Sequence, residues 1–423
     1  MTTELEIVSA EVLDRWAIEM KGPVALHLKQ KLLPVEVDGS IIFPPTYADI
    51  GYNIDALSDG TRIATIDSVG SQANRLEPIF KATAGTKRDE WLVPQIEIVL
   101  RTEECGECDA CKTAKAENDQ NAKKKKGQCA SPHKVTRSIL DLAHRGADAV
   151  VQSCPGLASL VGEAFQKLRS AGDAGLLCEI VPTSLVFGVW DSRGGSGEKR
   201  PRLVRSIIRA WDVDPLHAAA QFNSISKALD QNQREELEKE AKAKKVELSA
   251  KGFNDAPATF RKVGTNAAKY MQEFRDGSPN PERRVLGGVV ARGPIERQVT
   301  VNLVALRGLR GRDNTETEHI RKYLLGLSLV AATADIDLFL REGCHLRYAS
   351  EDEWYNIPRR GEPVAFKIKD SAREYAKAAT NHFREAWQKR WPKDENIEYR
   401  FDLNEAKKLL AKKTEEEKTP EEP

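Results

Sequence analysis

A chain of 423 residues is longer than one ordinary domain, so it must bury either one large core interrupted by insertions or two cores of usual size. Lysine plus arginine, 65, nearly balances aspartate plus glutamate, 64, so bulk composition does not single out a polyanion binder and local charge has to be read instead. No apolar run approaches the roughly eighteen residues of a membrane span, and the opening MTTELEIVSAEVL lacks the basic and apolar regions of a signal peptide, which predicts a cytoplasmic protein with no membrane partner.

Along the chain, GPVALHLKQKLLP alternates, with Val24, Leu26 and Leu28 on one side and Ala25, His27 and Lys29 on the other, the period of a strand. FPPTYADIGYNIDALSDG reads as a Pro-rich connection and TRIATIDS as a second strand. In VGSQANRLEPIFKAT, Ala73, Leu76 and Phe80 stand at helical spacing, and Pro78 should kink or shorten that helix. QIEIVLR is again strand-like and runs directly into a cysteine- and lysine-rich stretch. LASLVGEAFQKLRSAGD predicts a helix burying Leu157, Leu160, Val161, Ala164, Phe165 and Leu168, with Gly172 as C-cap.

TSLVFGVWDS and RLVRSIIRAWDV are expected strands, separated by the glycine-rich basic turn RGGSGEKRP. Ser226 to Lys251 is almost wholly polar, with charges four apart that support an exposed helix inside an insertion reaching about Arg283. RVLGGVVARG and QVTVNLVALRGL form a last apolar block. NTETEHIRKYLLGLSLVAATADI predicts a helix opened by a capping box of Thr315 with Glu318 and carrying Ile320, Tyr323, Leu324 and Leu327. TEEEKTPEEP is an acidic tail of disordered composition. Alternating strand and helix patterns with large insertions favour an α+β sheet with helices on one side.

Four of the seven cysteines crowd around a lysine run. Cys105, Cys108 and Cys111 form CxxCxxC, Cys129 follows, and His133 comes four residues later. Short spacings let neighbouring thiolates point at one ion, and tetrahedral zinc needs four ligands, so four of these five residues suffice: all four cysteines, or His133 in place of one of the first three. Such a closed site is structural, folding a loop too polar to fold alone. An iron–sulfur cluster is the rival; a missing proline after the last cysteine and the lysine-rich surroundings argue against it. Lys123 to Lys126 ride on this loop, although a lysine run is most often a solvated face. Cys154, Cys178 and Cys344 are isolated and read as small core residues.

The second basic feature is better specified. A strand over RLVRSIIRAWDV puts Arg205, Ile207, Arg209 and Trp211 on one face and Val204, Ser206, Ile208 and Ala210 on the other. Guanidinium groups interleaved with an aromatic plane suit phosphates and stacked bases. Upstream, Arg193, Lys199, Arg200 and Arg202 surround three glycines, so backbone can approach a phosphate closely. The plain alternative is a hairpin with solvated arginines. The turn lacks the GxxxxGK[ST] spacing of a Walker motif. Asp191 and Ser192 have no histidine in a recognisable relation to them, so no hydrolytic constellation assembles.

FPPTYA, DSVGSQANRLE, VFGVWDSRGGSGEKRPRLVRSIIRAWDV and ARGPIERQVTVNLVALR together resemble the RAMP-superfamily backbone subunit, the Cas-seven group, of type I-G (formerly I-U) CRISPR interference complexes. The resemblance covers most of residues 20 to 345 and is most specific at Ser71 to Glu77 and Phe187 to Val213. It implies an RNA-recognition-motif-like (ferredoxin-like) palm with large finger and thumb insertions, and the cysteine spacing makes one of them zinc-stapled. On that reading residues 1–100 open the palm, 101–135 form the metal-binding basic insertion, and 136–225 continue the palm through the Gly-rich turn. Residues 226–283 are a polar insertion, 284–350 complete the palm, 351–414 form a C-terminal helical segment and 415–423 the tail.

The resemblance further implies a non-catalytic protein that polymerises along a CRISPR RNA and presents it to target DNA, alongside other subunits of the interference complex. Base pairing reads the sequence, so such a protein needs phosphate contacts and stacking more than base-edge recognition. An RNA-contact role is carried over to Ser71, Gln72, Asn74, Arg75, Arg193, Lys199, Arg200, Arg202, Arg205 and Arg209, with Arg292 and Arg297 added. The alternatives are a RAMP-type metal-independent ribonuclease using a loop aspartate such as Asp191, and a stand-alone zinc-containing nucleic-acid-binding protein.

Overall fold

Leucine on alternate residues makes the longest strand, and the same period builds the sheet around it. The computed structural model describes residues 5–47, 51–103, 133–190, 199–217, 221–222, 228–246, 248, 251, 253, 256–257, 286–368, 371–392 and 397–411. Its main elements begin with β1 (Glu6–Val8), α1 (Ala10–Ile18), β2 (Ala25–Pro34), β3 (Ile54–Ala56), β4 (Arg62–Asp67) and α2 (Val69–Leu76). Next come β5 (Ile96–Glu103), β6 (His133–Ser138), α3 (Pro155–Ala171), β7 (Val189–Trp190), β8 (Lys199–Arg200), β9 (Val204–Trp211) and β10 (Val213–His217). The chain continues with β11 (Leu286–Ala291), β12 (Ile295–Asn302), α4 (Asn314–Thr333), β13 (Phe339–Arg341), β14 (Cys344–Tyr348), β15 (Glu353–Ile357), β16 (Val364–Ile368) and α5 (Ala372–Arg390).

Ten strands form one sheet in the order β1-β16-β15-β2-β12-β9-β4-β3, with β14 also on β2 and β13 on β14. Only β1 with β16 is parallel among its pairings. Register aligns Leu26 with Val301 and Val204, and Leu28 with Val299 and Ser206. These rows face a core filled from α1, α3, α4 and α5 by Leu13, Phe165, Leu324 and Phe383. Leu32, Ile295 and Ala210 face a second cluster containing Ala64, Ile66, Leu340 and Leu346. Each fully buried leucine contributes about 2 kcal/mol of transfer free energy. The opposite face carries His27, Lys29, Gln298, Thr300, Arg205 and Arg209, so the α+β architecture has its helices on one side, as the alternation predicts.

Several expectations hold in detail. Val204, Ser206, Ile208 and Ala210 are all buried while Arg205 is exposed and Arg209 half-buried. Gly172 caps α3 at φ 71°, and α2 passes at Pro78 into a tight 3-10 turn, Glu77–Phe80. The polar helix Gln231–Ala243 buries none of its residues and is capped by Asp230 and Gln233.

Others are corrected. TSLVFGVWDS is not one strand: Thr183–Val186 is a helical turn and only Val189–Trp190 is extended. Thr183, Ser184, Leu185 and Val186 are all buried, and an apolar run buried on every side carries no period by which to choose helix or strand. Asp313, not Thr315, caps α4, its side chain accepting from the Glu316 amide at 2.8 Å. Nor does the sheet end near residue 350, because β15 and β16 add strands to it before α5 begins. Their short hydrophobic stretches gain burial by pairing with β1, with β2 and with each other.

Beyond Trp211 the β9 and β12 strands continue as β10 and β11, which pair outside the main sheet as a two-stranded ribbon. The ribbon turns at Asp212, at φ 48°, and at Gly293, where a Cβ would stand 2.9 Å from the Trp211 carbonyl oxygen, so the crossing needs glycine. A smaller sheet joins β5, β6 and the strand Ile397–Arg400. In it Glu103 faces His133 across the mouth of the segment that bears the clustered cysteines.

Candidate nucleic-acid interface

The SQANR segment opens α2, and the fold splits its side chains between interior and surface. Ser68 caps the helix by accepting from the Ser71 amide at 3.3 Å. Gln72 points inward and is fully buried. Its amide donates to Asp67 at 2.7 Å, and its oxygen accepts from Ser206 at 2.7 Å and from Arg297 Nε at 3.2 Å. Arg297 is also fully buried. Its Nη1 donates to Gln30 at 2.6 Å and to the Ala332 carbonyl at 3.1 Å, and its Nη2 to the Ala331 carbonyl at 3.3 Å. These carbonyls belong to the last turn of α4, where the helix dipole favours a cation. Burial nevertheless pulls the guanidinium below its ordinary pKa.

This polar row crosses the sheet between the two hydrophobic clusters and meets nearly all its hydrogen-bonding demand internally. The RNA-contact expectation for Gln72 and Arg297 is therefore corrected: both are spent inside the protein, because the inward pleat of β12 carries Arg297 to the core side. Arg75 is half-buried and occupied as well, with Nε 3.1 Å from Asp67 and Nη2 2.7 Å from the Leu340 carbonyl. Ser71 is half-buried and Asn74 is exposed.

Asn74 lines a groove of about 850 Å³ together with Gly70, His144, Arg145, Trp190, Lys199, Arg200 and Arg202. The fold thus joins the exposed side of SQANR to the basic residues after the glycine-rich turn, which lie more than a hundred residues away in the chain. Antiparallel pairing sets Lys199 opposite Trp190, and its ammonium stands 5.5 Å from the indole centroid, a cation–π distance. Trp190 is 58% exposed. At Gly188, φ 80°, a Cβ would stand 2.7 Å from Arg202 Cγ, so glycine is what lets the arginine stem lie against this turn. No carboxylate lines the groove among its described residues. Arg193 lies outside the described residues.

Trp190, His144 and Arg145 escape the sequence reading. An exposed tryptophan after a buried VFG run has no periodic signature, and Arg145 sits in a short irregular turn. Arg205 projects from the outer face of β9 just beyond the groove residues, and Arg209 follows it on that face. Arg292 stands at the ribbon base, 2.7 Å from Asp214, which also pairs with Arg62 at 2.6 Å. That pairing lowers the Asp214 pKa and raises that of Arg292.

Cys105, Cys108, Cys111 and Cys129 lie outside the described residues, and His133 is exposed at the first position of β6. Among the described residues no group of three or more His, Cys, Asp or Glu side chains is placed to hold a metal ion. The donor chemistry of the cysteine segment nevertheless suits tetrahedral zinc, and His133 at its mouth is accessible as a ligand. Cys154, Cys178 and Cys344 are buried free thiols, and burial raises the pKa of each.

The broad sheet is thus bordered by a groove that sets cationic side chains beside an exposed aromatic plane. Residues 26–215 match the family model of CRISPR-associated protein GSU0053, so this part of the chain is similar to that CRISPR-associated family. Every groove residue falls inside the matched region, as do both of the most specific resembling stretches; Arg292 and Arg297 fall outside it. No curated protein matches the chain.

Proposed function

We propose that this protein is a non-catalytic backbone subunit that binds CRISPR RNA, polymerises along it and presents it for pairing with target DNA in a type I-G interference complex. The observation that carries the reading is the groove, where Lys199, Arg200 and Arg202 stand around an exposed indole within the family-matched residues. Cations there engage successive phosphates while Trp190 offers a plane to one base, a combination indifferent to sequence. Arg205 and Arg209 extend the positive track onto the open sheet face.

The palm reading is supported by strand order. Taken in chain order, β2, β9, β12 and β15 lie in the sheet as fourth, first, third, second, with helices in the first and third connections. That is the arrangement of a ferredoxin-like, RNA-recognition-motif-like unit. The β10–β11 ribbon then stands as a finger or thumb between β9 and β12. Copies of the chain, other complex subunits and target DNA are the partners this reading assigns, in the cytoplasm; no described helix is long and apolar enough to cross a membrane. Zinc held by four of Cys105, Cys108, Cys111, Cys129 and His133 completes the proposal as a structural staple for the lysine-bearing loop.

Size-exclusion chromatography of the chain with and without a CRISPR RNA tests the function. A high-mass species containing RNA is expected, with affinity falling steeply as salt rises; a monomer that ignores RNA at low salt defeats the proposal. Elemental analysis of the same preparation should find about one zinc per chain, and iron with sulfide would replace zinc by a cluster.

A further inference from the structure

Beneath the groove, Arg145 is held in a backbone conformation that its own type does not favour. It is 5% exposed with φ 54°, the left-handed region, which costs a non-glycine residue roughly 1–2 kcal/mol. Its guanidinium accounts for the restraint. Nε lies 2.8 Å from Glu77 Oε2, Nη2 3.4 Å from Asn74 Oδ1 and Nη1 3.4 Å from the Gly188 carbonyl. The fork also sits 5.3 Å from the Phe187 ring centroid. One side chain thereby joins the end of α2, the exposed Asn74 and the turn from which Trp190 enters the groove.

We propose that Arg145 is the positioning residue of the groove, and that its buried partner Glu77 decides how much positive charge the groove presents to a phosphate polymer. The inference rests on the RNA-binding reading and deepens it. With Glu77 ionised the pair is neutral. When Glu77 takes a proton, the Arg145 charge stands uncompensated in a poorly screened position directly under the ligand. Burial pushes the Glu77 carboxyl up to about 7, against the opposing pull of Arg145 and of a hydrogen bond from Thr183, with Asp141 pushing it further up. Both charge states are therefore accessible near neutrality. Arg202 also faces Arg145, and on the same turn the exposed His144 lies 3.4 Å from Asp148, so His144 is the neighbouring group that a control variant removes.

A polyanion over this pair favours the protonated carboxyl, so binding takes up a proton and, by reciprocity, tightens as pH falls. Calorimetric titration of the full chain with a single-stranded RNA, near pH 7 in two buffers of different ionisation enthalpy, counts that proton. Fractional uptake is expected, with affinity rising by at most about tenfold per pH unit between pH 8 and 6, the limit for one linked proton. E77Q should abolish the uptake and H144Q should retain it. T183V, which removes a hydrogen bond that holds the carboxyl down, should move the midpoint to higher pH. Uptake that survives E77Q, uptake lost in H144Q, or a midpoint unmoved by T183V overturns the inference while leaving RNA binding intact. If E77Q does not fold, the T183V midpoint decides. Wild-type protein that binds no RNA at any pH removes the RNA-binding reading and this inference together.

Discussion

Two groups of arginines that look alike in sequence have opposite fates. Arg297 lies in the row with Gln30, Gln72 and Ser206, sealed between two hydrophobic clusters. Arg202 is exposed and lines an open groove, with Lys199 against an exposed indole, while Arg200 beside them is half-buried and donates to the Leu168 carbonyl at 3.3 Å. A buried guanidinium is held by many fixed acceptors and serves the fold, whereas a rim guanidinium keeps its charge available to a ligand. On the main sheet strand parity makes the same division: on β12 Arg297 shares the inward pleat with Val299 and Val301, and on β9 Arg205 takes the outward one.

The contrast is sharpest in stability. Arg297→Met should cost at least about 1–3 kcal/mol, the penalty of a buried acceptor left without its donor, while Arg202→Ala should stay within about 0.5 kcal/mol of wild type. Urea denaturation of both variants measures the difference, and equal costs would erase the distinction between seam and groove. RNA binding should invert the order. Reversing charge at Lys199 and Arg202 together should weaken it strongly and reduce the slope of log affinity against log salt by about 1.4, the share of two single-strand phosphate contacts, without lowering the melting temperature.

Charge reversal at Arg205 and Arg209 should weaken RNA binding and assembly less, again without unfolding, because that face also carries Glu296, paired with Lys29 at 2.8 Å. A loss as large as at the groove would move the principal contact onto the sheet. The smallest effect concerns acid. Glu77 holds its proton more tightly when folded, up to about 7 against an ordinary 4.5. The native state therefore binds more protons than the unfolded chain in that window, and this group's contribution to stability falls as pH rises through it. Glu77→Gln should flatten that part of the pH–melting-temperature profile, and an unchanged slope would point to another group.

Much of the sheet was legible because period-two patterns such as Leu26, Leu28 and Leu32 state both element and buried face. The segments Thr183–Val186 and Glu353–Ile368 were not. The first is buried on all sides and shows no period, and the strands of the second are recognisable only through the neighbours they pair with. Of the site, the basic residues after the glycine-rich turn were visible as composition, and Arg205 and Arg209 as one face of a strand. Gln72 and Asn74 looked equivalent, since polar residues two apart on a short helix do not reveal which one meets a packed sheet.

The sequence by itself determined the local pieces: the alternation of β2 and β9, the C-cap of α3, the kink at Pro78 and the clustering of cysteines and lysines. It could do so because each depends on residues within a turn or two of one another. Only the tertiary structure decided that Asn74, Arg145, Trp190 and Lys199 share a groove, that Arg297 is sealed away, and that Glu77 sits buried beside a single guanidinium. Those outcomes depend on pairing across long separations and on what burial does to charge, and neither is written in any local pattern.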